Sequence, residues 1–509
     1  MLKTESYKKG IVFSTVLNIL VKAILFFNTI IIAWFFGTTI ETDLFFYVFS
    51  TITLVAAFVN GMDPAVVLPE GMHLQEDEGK EAAMGFYNVF ALGYTLLGIL
   101  IFAVLFFGSV PVYGLVSSFK TPVLEEHKLL LMLGSILPLL IILSNYFTSV
   151  LTTLKYFTAP LIANGIAQLF SLISLFLFHS KLGIAAAFIG MVIGYLLNIV
   201  LLLYFMRTKL HWHFRVSVKH INARVKRNLL SVQLGNLATF AFNYGIIVVL
   251  SALPTGIYSA YNYCSQVLNI PNNFIVAQAS AVAGIKFNEL VAKKLPDEIN
   301  RIFLQSQEVL LFLMIPFCIL VSLYAGPIVN MLYLRGGFTR DSAEKVIYFL
   351  QYLIFLAPCY TVNTFIARVM TAGKKVSQSF FFQLGFNMSA LLIIILMTRY
   401  FQQQGFVAGM LIAYYMYVLV VGVVIFRYLM PFINYLAVIK KMGLFFLFNL
   451  PFLFVFYKMF GHIQSIFAVG LIYILYFSVI ILVNHFLTIS NTVKEFTAVF
   501  YKNIITKFN

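Results

Sequence analysis

Long apolar segments follow one another along almost the whole chain, separated by short polar loops. A helix needs about 20 apolar residues to cross the hydrocarbon core of a bilayer. About fourteen segments reach that length, the first at residues 11–36 and the last at 465–487. Only 10% of the 509 residues are charged, against about 25% in an average soluble protein. The sequence therefore predicts an all-α, polytopic membrane protein.

The basic residues of the short loops predict which helix ends face the cytoplasm, because cytoplasmic loops carry an excess of Lys and Arg. The linker at residues 207–228 contains seven Lys and Arg residues and no acid. An even number of spans places both termini on the same side as this linker. An acidic loop at residues 75–81 falls on that side too, but acidic residues carry little weight in the rule. Topology therefore accounts for the net charge of +16, and we expect no nucleic-acid partner.

The basic linker also divides the chain. Six predicted spans precede it and eight follow, of which the last two stand apart from the others. We predict an N-terminal lobe at residues 1–206, a basic cytoplasmic linker at 207–228, a C-terminal lobe at 229–427, and two further helices with a cytoplasmic tail at 428–509. Two pseudo-symmetric six-helix bundles with a cavity between them are an arrangement typical of transporters.

The sequence lacks the patterns that indicate chemistry on a substrate. Its three cysteines lie inside apolar segments, and no Cys or His residues have the spacing of metal ligands. No glycine-rich loop of the kind that binds ATP or a dinucleotide is present. A membrane enzyme would usually carry acids or histidines clustered at one interface. We therefore expect no enzymatic activity, no catalytic residue, no metal site and no cofactor.

One lysine lies deep within the first predicted span. Lys22 is about eleven residues into that span, roughly 16 Å from its start and close to the membrane midplane. Ionisable residues at this depth are costly and usually functional. A cation that faces a wet cavity is suited to bind an anionic ligand. The alternative is that Lys22 extends to the interface or bonds backbone carbonyls. We place Asn18 with Lys22 in the predicted cavity.

Amide side chains are concentrated in the seventh and eighth predicted spans. Amides can hydrogen-bond sugars or phosphates without carrying charge, although they also join helices within membranes. We predict that four of them line the cavity, namely Asn236, Asn243, Gln266 and Asn269. In the second span, Asp63 is the candidate to couple transport to an ion. The neighbouring Pro64, like Pro271 in the eighth span, predicts a bend.

A polar loop at residues 333–345 interrupts two long apolar segments. Gly336 and Gly337 permit a tight turn after the ninth span. Thr339 or Asp341 is placed to cap the helix that follows. The distribution of basic residues puts this loop on the outer face of the membrane. We interpret it as a capped turn between the ninth and tenth spans.

Three stretches of the sequence resemble the MurJ (MviN) family of murein-precursor flippases. Residues 327–377 show the family's order of Arg, Gly, a variable residue and Phe-Thr at the end of the ninth span, with a further Arg after the tenth. Residues 253–271 resemble its Gly-x-x-Ser-Ala stretch, and residues 35–46 resemble its first loop. The matching gate or motif residues are Asp43, Arg335, Gly336, Phe338, Thr339 and Arg368.

The resemblance implies a flippase within the multidrug/oligosaccharidyl-lipid/polysaccharide (MOP) exporter superfamily. Its substrate would be an undecaprenyl-diphosphate-linked saccharide, in the first place the peptidoglycan precursor lipid II. The protein would lie in the bacterial inner membrane with both termini in the cytoplasm. We expect the lipid-linked saccharide, membrane lipids and a coupling cation, Na⁺ or H⁺, as partners of a monomeric protein.

The sequence departs from the family pattern in the predicted cavity. The family carries arginines in its first, second and eighth spans, whereas this chain has Thr15 in the first and Gln266 in the eighth. The second span has no arginine, and Asn60 stands where an acid is common. A less cationic cavity leaves two alternatives open. One is a flippase for O-antigen, capsule or other surface-polysaccharide lipid intermediates; the other is a multidrug or cation antiporter, which would use Asp63.

Overall fold

The structure, a computed structural model, describes residues 7–498, without the side chains of residues 7–15, 376, 377, 379 and 380. Every regular element in this part of the chain is a helix, as the long apolar segments predict. The predicted class, an all-α polytopic membrane protein, is therefore confirmed.

The number of membrane spans agrees with the prediction of about fourteen. In the described residues, twelve helices are long and apolar enough to cross a membrane. The pair Arg340–Leu353 and Leu356–Ala372, bent by 50°, provides one more span. One of the twelve, Phe381–Leu429, has 49 residues and would be about 73 Å long if straight, more than twice the thickness of the hydrocarbon core. It must therefore hold two spans.

The long helical run reverses direction at Gln402, where φ is 52° and ψ is −130°. On the far side of this break, a Cβ added at Gly409 would lie 2.9 Å from the Cα of Ile394. Two residues separated by the break are therefore in direct contact. The run is a helical hairpin, as the two separate apolar segments of the sequence predict.

The chain forms two compact units. The first contains the chain as far as Ser259 together with the short segment Arg335–Phe338. Its helices are α1 (Tyr7–Phe36), α2 (Ile40–Asn60), α3 (Leu68–Asp77), α4 (Lys80–Phe107), α5 (Ser109–Val116), α6 (Thr121–Glu126), α7 (Lys128–Gly134), α8 (Leu137–Thr153), α9 (Thr158–Leu182), α10 (Ala185–Leu210) and α11 (Ala223–Ser251). Helix α11 packs against α2 within this unit.

The second unit contains Ala260–Leu334 and the chain from Thr339 onward. Its helices are α12 (Ile257–Pro271), which begins within the first unit, α13 (Ala277–Ala292), α14 (Pro296–Leu323), α15 (Ala325–Tyr333), α16 (Arg340–Leu353), α17 (Leu356–Ala372), α18 (Val376–Met416), α19 (Gly422–Leu429), α20 (Tyr435–Phe460) and α21 (Ile466–Leu487).

Both prolines that predict bends lie at π-helical turns. Pro64 is the second residue of the turn Asp63–Val67, and Pro271 directly precedes the turn Asn272–Val276. Proline has no amide hydrogen, so the carbonyl four residues earlier loses its helical partner. Such local changes in helical hydrogen bonding are frequent at functional sites.

An ion pair joins the C-terminal helices to α14 within the second unit. Lys441 Nζ on α20 lies 2.7 Å from Glu308 Oε1 on α14. Thr492, which follows α21, donates its hydroxyl hydrogen to the other oxygen of Glu308 at 2.9 Å. Because one carboxylate binds groups from two other segments, it fixes α20 and the chain after α21 to α14.

Candidate functional site

The six residues predicted to line the substrate cavity are distributed over both units. The first unit holds Asn18 and Lys22 on α1 and Asn236 and Asn243 on α11, whereas the second holds Gln266 and Asn269 on α12. Lys22, Asn236 and Gln266 are half-buried, and the other three are exposed.

Lys22 and Asn18 lie one turn apart on α1, and therefore on the same face of the helix. The residues between and after them are apolar, so the pair forms a short polar patch in the middle of the span. A half-buried ammonium beside an amide can bind an anionic group through charge-assisted hydrogen bonds. The patch places a positive charge in the middle of the apolar helix α1.

The amides of α11 differ in their surroundings. Gln233 Nε2 donates to the carbonyl of Phe58 on α2 at 3.2 Å, and Asn236 Nδ2 lies 3.4 Å from Gln233 Oε1. Asn236 also lies against Gly61, where an added Cβ would be 2.6 Å from its Nδ2. Asn236 therefore contributes to the packing of α11 beside α2. Asn243 is exposed, and its Nδ2 donates a hydrogen bond to the carbonyl of Thr239 in the same helix at 2.9 Å.

Asp43 caps the helix that follows α11. Its two carboxylate oxygens accept hydrogen bonds from Gly256 N at 2.6 Å and from Ser259 N at 2.7 Å. The side chain is 2% exposed. The first amides of a helix have no partner within the helix, and a carboxylate there also complements the helix dipole. Asp43 thus joins α2 to the beginning of α12, the helix that leads into the second unit.

The cap gives a stability prediction for Asp43. Replacement by alanine should lower the free energy of unfolding by about 2 kcal/mol, because two buried amides lose a charged acceptor. Thermal unfolding in detergent measures the change. The matched control is Asp341→Ala, which removes an exposed carboxylate and should cost less than about 0.5 kcal/mol. Equal stability of wild type and Asp43→Ala would contradict the capping role.

The segment Arg335–Phe338 lies on the end of α1, within the first unit. Gly337 N donates to the carbonyl of Trp34 at 2.7 Å. Gly336 has φ of 58°, and an added Cβ would lie 2.5 Å from the same carbonyl oxygen. A Cβ at Gly37, which also has φ of 58°, would lie 2.5 Å from Gly337 O. The two backbones therefore approach so closely that only glycine fits. We refer to residues 34–37 and 335–338 together as the glycine contact.

The other motif residues in and directly after the glycine contact have distinct environments. Phe338 is 2% exposed, whereas Arg335 is exposed. Thr339 caps α16, because its Oγ1 accepts from Ser342 N at 3.3 Å. Of the two caps that the sequence allows, the structure uses Thr339 rather than Asp341, which instead pairs with Lys345 at 2.7 Å.

Arg368 lies apart from the glycine contact in sequence, on α17 of the second unit. Its side chain is exposed and passes close to α13, where a Cβ added at Gly284 would lie 3.3 Å from Arg368 Cδ. The absence of a side chain at Gly284 thus leaves room for the arginine along α13.

Asp63 is completely buried in the first unit. Tyr94 on α4 donates its hydroxyl hydrogen to Asp63 Oδ1 at 2.5 Å, and Asn60 Nδ2 donates to Asp63 Oδ2 at 3.1 Å. Asn60 Nδ2 also lies 3.2 Å from the carbonyl of Ile142 on α8. The carboxylate is therefore held at the meeting of three helical segments.

The partners of these residues are not evident from the sequence. Tyr94 is one of 28 tyrosines, and nothing in its local sequence distinguishes it. Trp34 is one of only two tryptophans and therefore stands out in the sequence, but the atom that accepts the hydrogen bond from Gly337 is its backbone oxygen. Among the described residues, no three His, Cys, Asp or Glu side chains are grouped so as to hold a metal ion.

The fold is similar to those of solved transporters of the MOP superfamily. It matches an inward-facing multidrug-resistance MATE family transporter of that superfamily with a TM-score of 0.63 and 12% identity, over 86% of this chain and 96% of that one. It matches a structure of the lipid II flippase MurJ in an inward closed conformation with a TM-score of 0.74 and 20% identity, over 97% of this chain and 100% of that one.

The sequence shows the family to which the chain belongs. The family model for the lipid II flippase MurJ matches residues 32–478. A curated relative, the probable lipid II flippase MurJ of Borreliella burgdorferi, is 22% identical over 409 residues, which are 78% of this chain and 79% of the relative. The chain belongs to the MurJ family of lipid II flippases, and the resemblance found in its sequence motifs is confirmed.

Proposed function

We propose that this protein moves lipid II, an undecaprenyl-diphosphate-linked saccharide, from the cytoplasmic to the outer leaflet of the bacterial inner membrane. The observation that carries the proposal is the family match to residues 32–478, which includes residues of both units. The protein acts as a transporter, and no bond of the substrate is made or broken.

The polar patch on α1 supports recognition of the diphosphate. Lys22 supplies a positive charge, and Asn18 supplies an amide that donates to a phosphate oxygen without adding charge. Asn243, Gln266 and Asn269 hold the sugar or peptide part of the headgroup through hydrogen bonds. The lipid tail stays in the membrane, since moving it through water would expose its whole apolar surface.

Alternating access requires an outer closure that opens and closes. Asp43 and the glycine contact are suited to this role because both depend on a few main-chain hydrogen bonds. A net hydrogen bond contributes about 0.5–1.5 kcal/mol, so the closure can be broken without unfolding either unit. The motif arginines of this proposed gate are Arg335, which is the exposed arginine of the glycine contact, and Arg368.

A coupling cation, Na⁺ or H⁺, gives the flipping step its direction, with Asp63 as the residue that binds it. Both termini lie in the cytoplasm, and the protein works as a monomer. The lobes that move are residues 1–206 and 229–427, joined by the linker at 207–228, while residues 428–509 form the additional C-terminal part.

A second substrate class follows from the small number of basic side chains in the proposed cavity. Gln266 stands where the family resemblance implies an arginine, and the second span lacks one as well. A neutral amide lacks the positive charge with which an arginine would pair with the carboxylates of the lipid II peptide, but it can still hydrogen-bond the hydroxyl groups of an uncharged glycan. A surface-polysaccharide lipid intermediate is therefore the alternative substrate.

Proteoliposomes distinguish the two substrates. With fluorescent lipid II in the membrane and an impermeant quencher outside, the purified protein should flip lipid II at least tenfold faster than an undecaprenyl-diphosphate-linked surface-polysaccharide unit, a preference of about 1.4 kcal/mol. Heat-inactivated protein in the same vesicles is the control. A reversed preference would show that the substrate is a surface-polysaccharide lipid intermediate and not lipid II.

A further inference from the structure

Asp63 lies at a break within a membrane span. Helix α2 ends at Asn60, and the chain continues through Gly61 and Met62 into the π-helical turn Asp63–Val67. Because Pro64 has no amide hydrogen, the main-chain carbonyl of Asn60 loses its helical donor. Broken helices in transporters are the places where coupling ions bind.

The groups packed around Asp63 are neutral. Helix α4 provides Tyr94 and Tyr87, and α8 provides Tyr146, which donates to Tyr87 O at 2.7 Å. Helix α11 contributes the uncharged amide of Asn236 near Gly61. None of the ion pairs formed by the described residues includes Asp63. An ionised carboxylate buried without a cation is costly, so this environment favours uptake of a positive charge.

Asn60 has a free acceptor beside this carboxyl group. Its Nδ2 bridges Asp63 Oδ2 and the carbonyl of Ile142, while its Oδ1 is buried and has no hydrogen-bond partner. A buried acceptor without a donor is unfavourable. If the amide turns about its last bond, Oδ1 faces Asp63 Oδ2 and can accept a hydrogen bond from it. Such a bond forms only when Asp63 carries a proton.

The surrounding donors favour a proton over a sodium ion. Sodium needs several oxygen atoms directed at one point. Here the hydroxyl hydrogen of Tyr94 and an amide hydrogen of Asn60 are directed at the two carboxylate oxygens. Asp63 can take up a proton when the side-chain amide of Asn60 turns, and this step displaces no helix.

We propose that Asp63 is a proton-binding site of the transport cycle and that Asn60 responds to its protonation. When Asp63 is ionised, Asn60 joins it to Ile142 O on α8. When Asp63 is protonated, the turned amide accepts its hydrogen and releases Ile142 O, which loosens α2 from α8. A proton taken up from the outer side and released to the cytoplasm would drive the substrate outward. The coupling of proton movement to flipping rests on the proposed flippase function, whereas proton binding by Asp63 does not.

Infrared spectroscopy tests proton binding on the full-length protein without substrate. The wild type should show the C=O stretch of a buried carboxylic acid that titrates with pH, and Asp63→Asn should lack it. Asp63→Glu should retain such a band, and Tyr94→Phe should shift it, because Tyr94 donates to the same group. The matched control is Asp341→Asn, which changes an exposed carboxylate and should leave the band unaltered. A band that persists in Asp63→Asn, or that Tyr94→Phe leaves in place, would overturn the proposal.

A pH gradient tests coupling in proteoliposomes at zero membrane potential. With one proton per substrate, a difference of one pH unit should produce up to about tenfold asymmetry of lipid II between the leaflets. Asp63→Asn should flip lipid II without asymmetry. Asymmetry driven by a sodium gradient and lost in Asp63→Asn would assign the site to sodium instead. If the wild type flips no lipid II while the infrared band is present, the flippase proposal fails and the proton site stands.

Discussion

Replacing Lys22 with alanine should reduce the rate of lipid II flipping about 10- to 100-fold. A hydrogen bond to a charged group contributes about 1.5–3 kcal/mol, and every 1.4 kcal/mol corresponds to a factor of ten. Lys22 is the half-buried cation in the middle of α1, where a lower effective dielectric constant than at the surface strengthens its attraction for a diphosphate. The measurement is the initial flipping rate of fluorescent lipid II in proteoliposomes.

Two variants control for loss of folding and of total charge. Lys22→Arg keeps the positive charge and should retain most of the activity. Lys120→Ala removes an exposed lysine and should leave the rate unchanged. If Lys22→Ala flipped lipid II at the wild-type rate, the proposed diphosphate site on α1 would be wrong, whatever the substrate.

Replacing Gly336 with valine should open the glycine contact and slow flipping more than tenfold. A left-handed backbone costs a residue with a Cβ about 1–2 kcal/mol, and overpacking costs about 1–3 kcal/mol more. Since an added Cβ would lie 2.5 Å from Trp34 O, the segment Arg335–Phe338 must leave α1 to accommodate it. The hydrogen bond from Gly337 N to Trp34 O is then lost.

Hydrogen exchange measures this opening directly at Gly337. Its amide should exchange at least tenfold faster in Gly336→Val than in the wild type, because backbone strain and overpacking together favour opening by more than about 1.4 kcal/mol. The matched control is Gly326→Ala on α15, where an added Cβ meets no atom within 4 Å. Unchanged exchange together with unchanged flipping in Gly336→Val would exclude the glycine contact from the gate.

The membrane architecture follows from the sequence because each span is a local property. An apolar segment of about 20 residues must form a helix in lipid, since its backbone has no other hydrogen-bond partner there. The break at Gln402 was therefore predictable from the two apolar segments on either side, although it lies within one continuous helical run. Pro64 and Pro271 likewise mark the positions of π-helical turns.

The contacts of the candidate site depend on residues that are distant in the chain, and they were not predictable. Asp43 and Gly256 are separated by 213 positions, and no local pattern indicates that one caps the other. Trp34 contacts Gly337 through a main-chain hydrogen bond, which the types of the side chains do not reveal. Burial also depends on the tertiary structure: the sequence placed Asp63 in the second span without showing what surrounds it, whereas the structure encloses it completely.

The most direct test of the proposed function uses a bacterium depleted of its own lipid II flippase. Lipid II on the outer face of the inner membrane is labelled by a probe that cannot cross the membrane, and the protein is expressed as wild type or Lys22→Ala. We predict that the wild type restores outer lipid II and growth, whereas Lys22→Ala, present at the same level in the membrane, does not. Outer lipid II that stays at the depleted level with wild-type protein in the membrane would contradict the proposal.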